Sequence, residues 1–140
     1  MPVAERIVEV RGDKVILDSD LAGIYGVTTK VLNQTLKRNI ERFPSDFAFR
    51  LKPAEIEAIR RSRSQSVTLK RGQNLKYLPW AFTEHGAIMA ASMLNSPRAV
   101  EMSVFVVRAF VRLRDLARTH ARLAASLADW SDVLLGTIET

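Results

Sequence analysis

The stretch LAGIYGVTTKVLNQTLKRN, residues 21–39, decides the fold of this 140-residue chain. Its first part carries apolar side chains at the i, i+3 and i+4 positions of one helix face, namely Leu21, Ile24 and Tyr25. Gly26 is expected to end that helix in the left-handed conformation, because glycine has no Cβ atom to clash there. Thr28 or Thr29 then caps a second helix, which runs to about Ile40. The stretch predicts two short helices joined by a tight turn.

Three residues in this stretch are spaced as in a helix-turn-helix. Such a motif needs a small residue where its helices touch, a glycine four residues later and an apolar anchor six residues further on. Ala22, Gly26 and Leu32 lie at those offsets. Two residues depart from the pattern: Thr35 stands where an apolar side chain would pack better, and Gly23 costs the first helix ~1 kcal/mol relative to alanine.

The second helix divides into an apolar and a polar face. The apolar face comprises Leu32, Leu36 and Ile40. The polar face has no acidic residue and comprises Lys30, Asn33, Gln34 and Lys37, with Arg38 at its edge. Asparagine and glutamine can bond adenine, lysine can bond guanine or phosphate, and arginine can clamp a phosphate. The face therefore predicts DNA contact, and the alternative is an ordinary solvated helix face.

The rest of the chain alternates strand and helix signals. Strand character is found in RIVEV (6–10) and KVILD (14–18), which flank a glycine turn, and in DFAFRL (46–51), with Phe47, Phe49 and Leu51 facing inward. Helix character is found in KPAEIEAIRR (52–61), in the residues that follow Thr83 as an N-cap, and from Pro97 onward. These signals predict an α+β fold with an N-terminal β-hairpin, a helix-turn-helix-like pair, a small β-ribbon and a long C-terminal helix.

The predicted β-ribbon lies in the polar tract RSRSQSVTLKRGQNLK, residues 61–76. Its basic side chains are expected to contact the DNA backbone, as a wing beside the second helix. The residues assigned to this role are Arg63, Lys70, Arg71 and Lys76. The alternative is a solvated loop with no ligand.

Apolar residues along the C-terminal helix alternate at spacings of four and three, which is the heptad pattern of a coiled coil. They are Met102, Val106, Ala109, Leu113, Leu116, His120, Leu123, Leu127, Trp130 and Leu134, with His120 as a polar register marker. The part from Leu113 to Leu134 is expected to mediate oligomerisation. The alternative is a helix that packs on its own domain.

The net charge of +6 is concentrated in one part of the chain. Residues 30–76 carry twelve basic and four acidic groups, a net charge of +8, whereas residues 1–29 carry a net charge of −2. Such a segment is the electrostatic signature of a phosphate binder, although many proteins carry similar charge for solubility.

The composition argues against several other functions. There is no cysteine and there are only two histidines, so we expect no disulfide, no metal site and no cofactor. The acidic residues are scattered, and Glu84 and His85 are adjacent in a helix and so do not face each other, which argues against an enzyme. The N-terminus lacks the apolar core of a secretory signal, so we expect a cytoplasmic protein.

Three segments together resemble a known family. They are residues 12–51 (GDKVILDSDLAGIYGVTTKVLNQTLKRNIERFPSDFAFRL), residues 77–94 (YLPWAFTEHGAIMAASML) and residues 96–114 (SPRAVEMSVFVVRAFVRLR). They are similar to the phage ORF6N domain family, a relative of the KilA-N and Bro-N DNA-binding domains. The resemblance implies a DNA-binding domain over residues 1–114, followed by a helical extension over residues 115–140. Its motif matches carry a DNA-contact role to Lys30, Asn33, Lys37, Arg38 and Asn39, while Gly23 and His85 depart from the family pattern.

We therefore expect a homodimer or higher oligomer that binds double-stranded DNA as a phage or prophage transcriptional regulator or antirepressor. It would act in the cytoplasm of a bacterial host, in association with the nucleoid. The alternative is a protein-interaction module that captures a partner, such as a repressor, through the C-terminal heptad seam and makes no contact with DNA.

Overall fold

The computed structural model describes the backbone of residues 2–63 and 78–139, and the side chains of residues 2–62 and 78–128. The strands are β1 (Ile7–Val10), β2 (Asp13–Leu17), β3 (Ala48–Arg50) and β4 (Trp80–Phe82). The helices are α1 (Asp18–Tyr25), α2 (Thr29–Arg38), α3 (Pro53–Arg63), α4 (Glu84–Leu94) and α5 (Pro97–Glu139). Short 3₁₀ helices span Val3–Arg6 and Ile40–Arg42.

The four strands form one antiparallel sheet in the order β1-β2-β4-β3. Strands β1 and β2 form the predicted hairpin around Arg11 and Gly12, whose φ angles of 56° and 80° are both positive. Positive φ at both central residues suits the twist of a two-residue hairpin turn. Strand β4 then pairs with β2 through Ile16 and Phe82, and with β3 through Ala48 and Phe82.

Each face of the sheet packs against a different hydrophobic core. Ile16, Ala48 and Phe82 lie in the larger core, together with side chains from α1, α2, α4 and α5. Leu17, Phe49 and Ala81 alternate onto the other face and pack against residues of α3. Helices thus cover both faces of the sheet, and the predicted α+β class, hairpin and long C-terminal helix are confirmed.

Two predictions about local packing are wrong. Helix α2 ends at Arg38, where Asn39 leaves the helical conformation, so Ile40 is half exposed rather than part of the apolar face. Phe47 precedes β3 and packs against the larger core, whereas Phe49 lies in the smaller one. The predicted inward face shared by Phe47 and Phe49 therefore does not exist, because the strand begins only at Ala48.

The hairpin turn is bonded to the start of α3. The Arg11 guanidinium donates to both carboxylate oxygens of Glu55, at 2.7 and 2.9 Å, and lies 4.4 Å from the centroid of the Phe49 ring. Glu55 also accepts a 2.8 Å bond from the backbone N–H of Lys52, which caps the helix. The hydrogen bond from Arg11 lowers the pKa of Glu55 below its usual value.

The junction between β4 and α4 depends on Thr83 and Gly86. The Thr83 hydroxyl donates to the carbonyl of Asp46 at 2.8 Å and accepts from the N–H of Gly86 at 3.4 Å, so Thr83 is the N-cap that the sequence predicted. The Thr83 N–H donates to the carbonyl of Phe47 at 3.0 Å. A Cβ atom at Gly86 would overlap that same carbonyl, so only glycine allows α4 to approach the chain before β3 this closely.

Replacing Gly86 by alanine is expected to lower the free energy of unfolding by about 1–3 kcal/mol or more, because the clash is with backbone rather than with a flexible side chain. Gly23 in α1 is the matched control, since an added Cβ there meets no atom within 4 Å. Gly23→Ala should raise the free energy of unfolding by about 0.5–1 kcal/mol. Urea unfolding of both variants measures the difference, and equal effects would contradict the close approach at Gly86.

Candidate nucleic-acid interface

Helices α1 and α2 are joined by a tight turn, as the sequence predicted. Gly26 has a φ angle of 74° and caps α1 in the left-handed conformation, as predicted. The Thr28 hydroxyl accepts a 3.1 Å bond from the N–H of Val31 and caps α2. Ala22 and Leu32, the predicted contact and anchor residues, are both buried. The local sequence signals therefore place the two helices correctly.

Other elements hold the turn in place. The Arg98 side chain, near the start of α5, crosses Gly26 so closely that an added Cβ would overlap it. The Tyr25 hydroxyl, at the end of α1, donates to the carbonyl of Ala87 in α4 at 2.8 Å. Burial raises the pKa of Tyr25, so this hydroxyl stays protonated and remains a donor.

A fully buried carboxylate joins α1, α2 and the sheet. One oxygen of Asp18 accepts from the N–H of Ser19 at 2.7 Å. The other accepts from the Asn33 side chain at 3.1 Å and from the N–H of Trp80 at 3.2 Å. A buried carboxylate is tolerated only when donors replace the water it has lost, so these bonds constrain how α2 is oriented against β4.

Two of the predicted DNA-contacting residues have structural partners. Asn33 is half-buried and its Nδ2 donates to Asp18, so the amide lies toward the sheet. Asn39 stands just after α2, and its side chain donates to the carbonyl of Thr35 at 2.9 Å. The sequence placed Asn33 on the outer face because it lies three residues after Lys30, but its spacing could not reveal a partner fifteen residues earlier. DNA contact by either residue stays a prediction. Each of the two side chains also has a structural role through the hydrogen bond that it donates within the protein.

The remaining predicted residues of α2 form one exposed surface together with Val31, and we call it the α2 face. It comprises Lys30, Val31, Gln34, Lys37 and Arg38, all solvent-exposed. Within the described part of the chain, none of the three basic side chains on this face forms an ion pair. Val31 was missed from the sequence because apolar residues are assigned to cores by default, although its offset from Leu32 and Leu36 is the signal that it points outward.

The predicted β-ribbon was assigned four basic side chains. Lys70, Arg71 and Lys76 lie outside the described residues, as does the side chain of Arg63. Arg60, at the end of α3, is half-buried and bonds Glu57 at 3.2 Å.

The heptad seam of α5 has two different parts. Met102, Val106 and Ala109 pack into the domain's own core or against it, which is the alternative that the sequence left open. Leu113 is half-buried and His120 is exposed. In this distal part of the helix Leu116, Leu123 and Leu127 are 48%, 56% and 68% exposed, and we call these three residues the distal leucine surface. Trp130 and Leu134 belong to the same predicted seam, but their side chains lie outside the described residues.

The described residues contain no group of three or more His, Asp or Glu side chains that could hold a metal ion. Glu84 bonds Arg114 at 2.7 Å, and His85 stacks on Phe47 with ring centroids 5.5 Å apart. In the same part of the chain, no helix is both long and apolar enough to cross a bilayer. The α2 face is the candidate functional surface, because it brings together the exposed basic and amide side chains that the sequence predicted.

Replacing Asn33 by alanine is expected to lower the free energy of unfolding by about 1.5–3 kcal/mol, because buried Asp18 loses a donor. Gln34→Ala, one residue along the same helix but exposed, should change it by less than about 0.5 kcal/mol. Urea unfolding of both variants tests the assignment. An Asn33→Ala protein as stable as Gln34→Ala would show that the Asp18 contact contributes little.

Comparison with known proteins gives one match. The model of the family described as ORF6N domain matches residues 5–93, from the first 3₁₀ helix to α4. No curated protein and no solved structure matches the chain. The matched region includes both helices of the turn, the described sheet and the Asp18 contacts, whereas α5 lies beyond it.

Proposed function

The chain belongs to the ORF6N domain family, a phage-associated family, and from that premise we propose that it binds double-stranded DNA as a phage or prophage regulator. The observation that carries the proposal is the α2 face, a continuous exposed surface with three basic side chains and no acidic one. A cation that is not neutralised by a neighbouring carboxylate is available for a phosphate.

The geometry of a helix-turn-helix suggests a role for each residue of the α2 face. In such motifs the N-terminal part of the second helix contacts base edges in the major groove. Lys30, Val31 and Gln34 occupy that part of α2, where lysine suits guanine, glutamine suits adenine and valine suits the thymine methyl group. Lys37 and Arg38 follow in the last turn and would bind phosphates, which position the helix but do not read sequence.

Charge beyond α2 supports the same function. Residues 30–76 carry a net charge of +8 in a chain whose total is +6. Long-range attraction of this kind supplies most non-specific affinity for DNA. Arg63, Lys70, Arg71 and Lys76 are proposed to add contacts to the DNA backbone.

We propose that this activity involves neither catalysis nor a cofactor. The adjacent Glu84 and His85, the acid–base pair closest in sequence, are each engaged by a different neighbour rather than by one another. Regulation of transcription, directly or as an antirepressor, in the cytoplasm of a bacterial host is the role that fits a DNA-binding member of this family.

Charge reversal on the α2 face tests the proposal. Wild type should bind a random-sequence duplex at low salt, and its affinity should fall steeply with salt if ~4 to 8 phosphates are neutralised. Lys30→Glu/Arg38→Glu should abolish most of this binding, because two attractions become repulsions while both side chains are exposed. Fluorescence anisotropy across a salt series measures both effects.

The matched control is Arg118→Glu/Arg122→Glu, which changes the net charge equally on exposed positions of α5 outside the family match. This control should retain the wild-type salt slope and most of the affinity. An equal loss of duplex affinity in both double variants would mean that net charge alone governs binding. If the wild type does not bind the duplex at low salt, the DNA proposal is wrong.

The distal leucine surface favours a second candidate function, a protein-interaction module. Three leucines on one side of α5 are largely exposed, and their spacing of seven and four residues continues the heptad pattern. Exposed apolar side chains in such a pattern are typical of a helix that pairs with another helix. The second helix would come from another copy of this chain or from a repressor-like partner.

Leu123→Glu/Leu127→Glu is expected to reduce the mass of the protein assembly in solution, since charged residues would have to be buried in the seam. Sedimentation velocity measures the change, and duplex binding of the same variant separates the two functions. An unchanged mass would contradict self-association through this surface. Lost partner binding with intact DNA binding would show that the two functions reside on different surfaces.

A further inference from the structure

A second apolar stripe lies on the proximal part of α5 and takes no part in the heptad seam. It consists of Val100, Val104, Val107 and Val111, and we call it the valine face. Their spacing of four, three and four residues aligns the four side chains along one side of the helix. Val100, Val104 and Val111 are 53%, 47% and 40% exposed, and Val107 is half-buried.

The valine face is separate from the other two apolar surfaces of α5. Val106 and Phe110 lie on the side that packs into the domain. Val107 and Leu116 are nine residues apart, which places them on opposite sides of a helix with about 100° per residue. A partner bound at the valine face would therefore leave both the core and the distal leucine surface undisturbed.

An exposed row of four valines is unfavourable for a helix when no partner covers it. β-branched residues lose side-chain freedom in a helix and have lower helix propensity than leucine or alanine. Their exposed methyl groups also form a contiguous apolar strip, which soluble proteins usually reserve for contacts. Val106, one residue before Val107, offsets this effect by full burial, whereas Val100, Val104 and Val111 remain about half exposed.

Two opposite charges flank the valine face on the same side. Glu101 and Arg108 are seven residues apart, so they occupy equivalent positions two turns from each other. That separation is too long for an ion pair within one helix, where pairs form at three or four residues. In the described part of the chain Glu101 makes no ion pair, and the Arg108 guanidinium lies 6.0 Å from the centroid of the exposed Phe105 ring.

We propose that the valine face binds the valine face of a second copy of this chain, with the two α5 helices antiparallel. In this register Val100 lies opposite Val111 of the second copy, and Val104 lies opposite Val107 of the second copy. All four layers are then valine against valine. Alternating a and d positions of this kind form the layers of an antiparallel coiled coil.

The flanking charges select the antiparallel direction. When the valine layers form in this register, Glu101 lies beside Arg108 of the second copy. Because a two-fold axis relates the copies, Arg108 also lies beside Glu101 of the second copy, which gives two ion pairs. In a parallel pair the neighbours of Glu101 and Arg108 would instead be Ser96 and Ser103, respectively, so neither charge would gain an opposite partner. The inference rests on α5 alone and does not require DNA binding.

Disulfide crosslinking tests the register, since the chain contains no cysteine of its own. Val100→Cys and Val111→Cys are prepared separately, mixed under reducing conditions and then oxidised. A disulfide between positions 100 and 111 is expected in the mixture, because the two residues lie in the same layer. Each variant alone should give none, because equivalent positions are about 16 Å apart along the helix axis, beyond the reach of a disulfide.

Either of two results would overturn the proposal. Efficient disulfide formation in each variant alone would show parallel or random pairing, and its absence from the mixture would show that the valine faces do not meet. Failure of duplex binding in the anisotropy experiment would leave this result unaffected, so the two proposals fail independently.

Charge exchange supplies a second test on the same crosslink. Glu101→Arg and Arg108→Glu, each added to the mixture of cysteine variants, should weaken pairing about tenfold, because each places like charges together twice. Glu101→Arg/Arg108→Glu restores two ion pairs and should recover the crosslink. If the single variants lose the crosslink and Glu101→Arg/Arg108→Glu does not recover it, the predicted pairing of these two charges is wrong.

Discussion

The hydrogen bonds of buried Asp18 are the constraint on which the arrangement of this fold depends. The carboxylate stands at the junction of β2 and α1, and it accepts bonds from Asn33 in α2 and from the backbone of Trp80 in β4. Each bond joins segments that are distant in sequence, and a buried carboxylate makes the loss of any donor costly. The side of α2 that carries Asn33 is therefore held toward the sheet. Lys30, Gln34, Lys37 and Arg38 consequently face solvent, which the proposed contact with DNA requires.

The sequence predicted the features that depend on local chemistry. Gly26 ends α1 because glycine adopts the left-handed conformation freely, and Thr28 begins α2 because its side-chain oxygen accepts a bond from a backbone N–H. Both effects act within a few residues. The hairpin around Gly12 and the cap at Thr83 were recognisable for the same reason. Features that depend on distant partners were missed: the Asn33 bond to Asp18, the pairing of β3 with β4 and the close approach of Gly86 to Phe47. On the candidate interface, three predicted basic residues of α2 proved exposed. The structural role of Asn33 came only from the tertiary structure, whereas the exposure of Val31 had a signal in the sequence that was not used.

Helix α5 shows why a heptad pattern alone does not identify a partner. Val106 and Leu123 belong to the same seam, yet one is buried in its own domain and the other is largely exposed. The heptad spacing shows only that one side of the helix is apolar. Which part of that side is free to bind a partner depends on where the domain packs against the helix. The valine face adds another stripe on a different side of the helix. One helix thus serves the core, a distal surface and a proposed antiparallel contact, and the last two offer separate routes to assembly.

The most direct test of the DNA-binding proposal is photo-crosslinking from α2 to a DNA duplex. A photoreactive group is attached to Gln34→Cys, and to Ser92→Cys on the exposed side of α4 as the control, in a chain that has no other cysteine. Crosslinks to DNA from position 34, with few or none from position 92, are the expected result. Equal crosslinking from both positions, or crosslinking from position 92 alone, would contradict the assignment of α2 as the helix that contacts DNA.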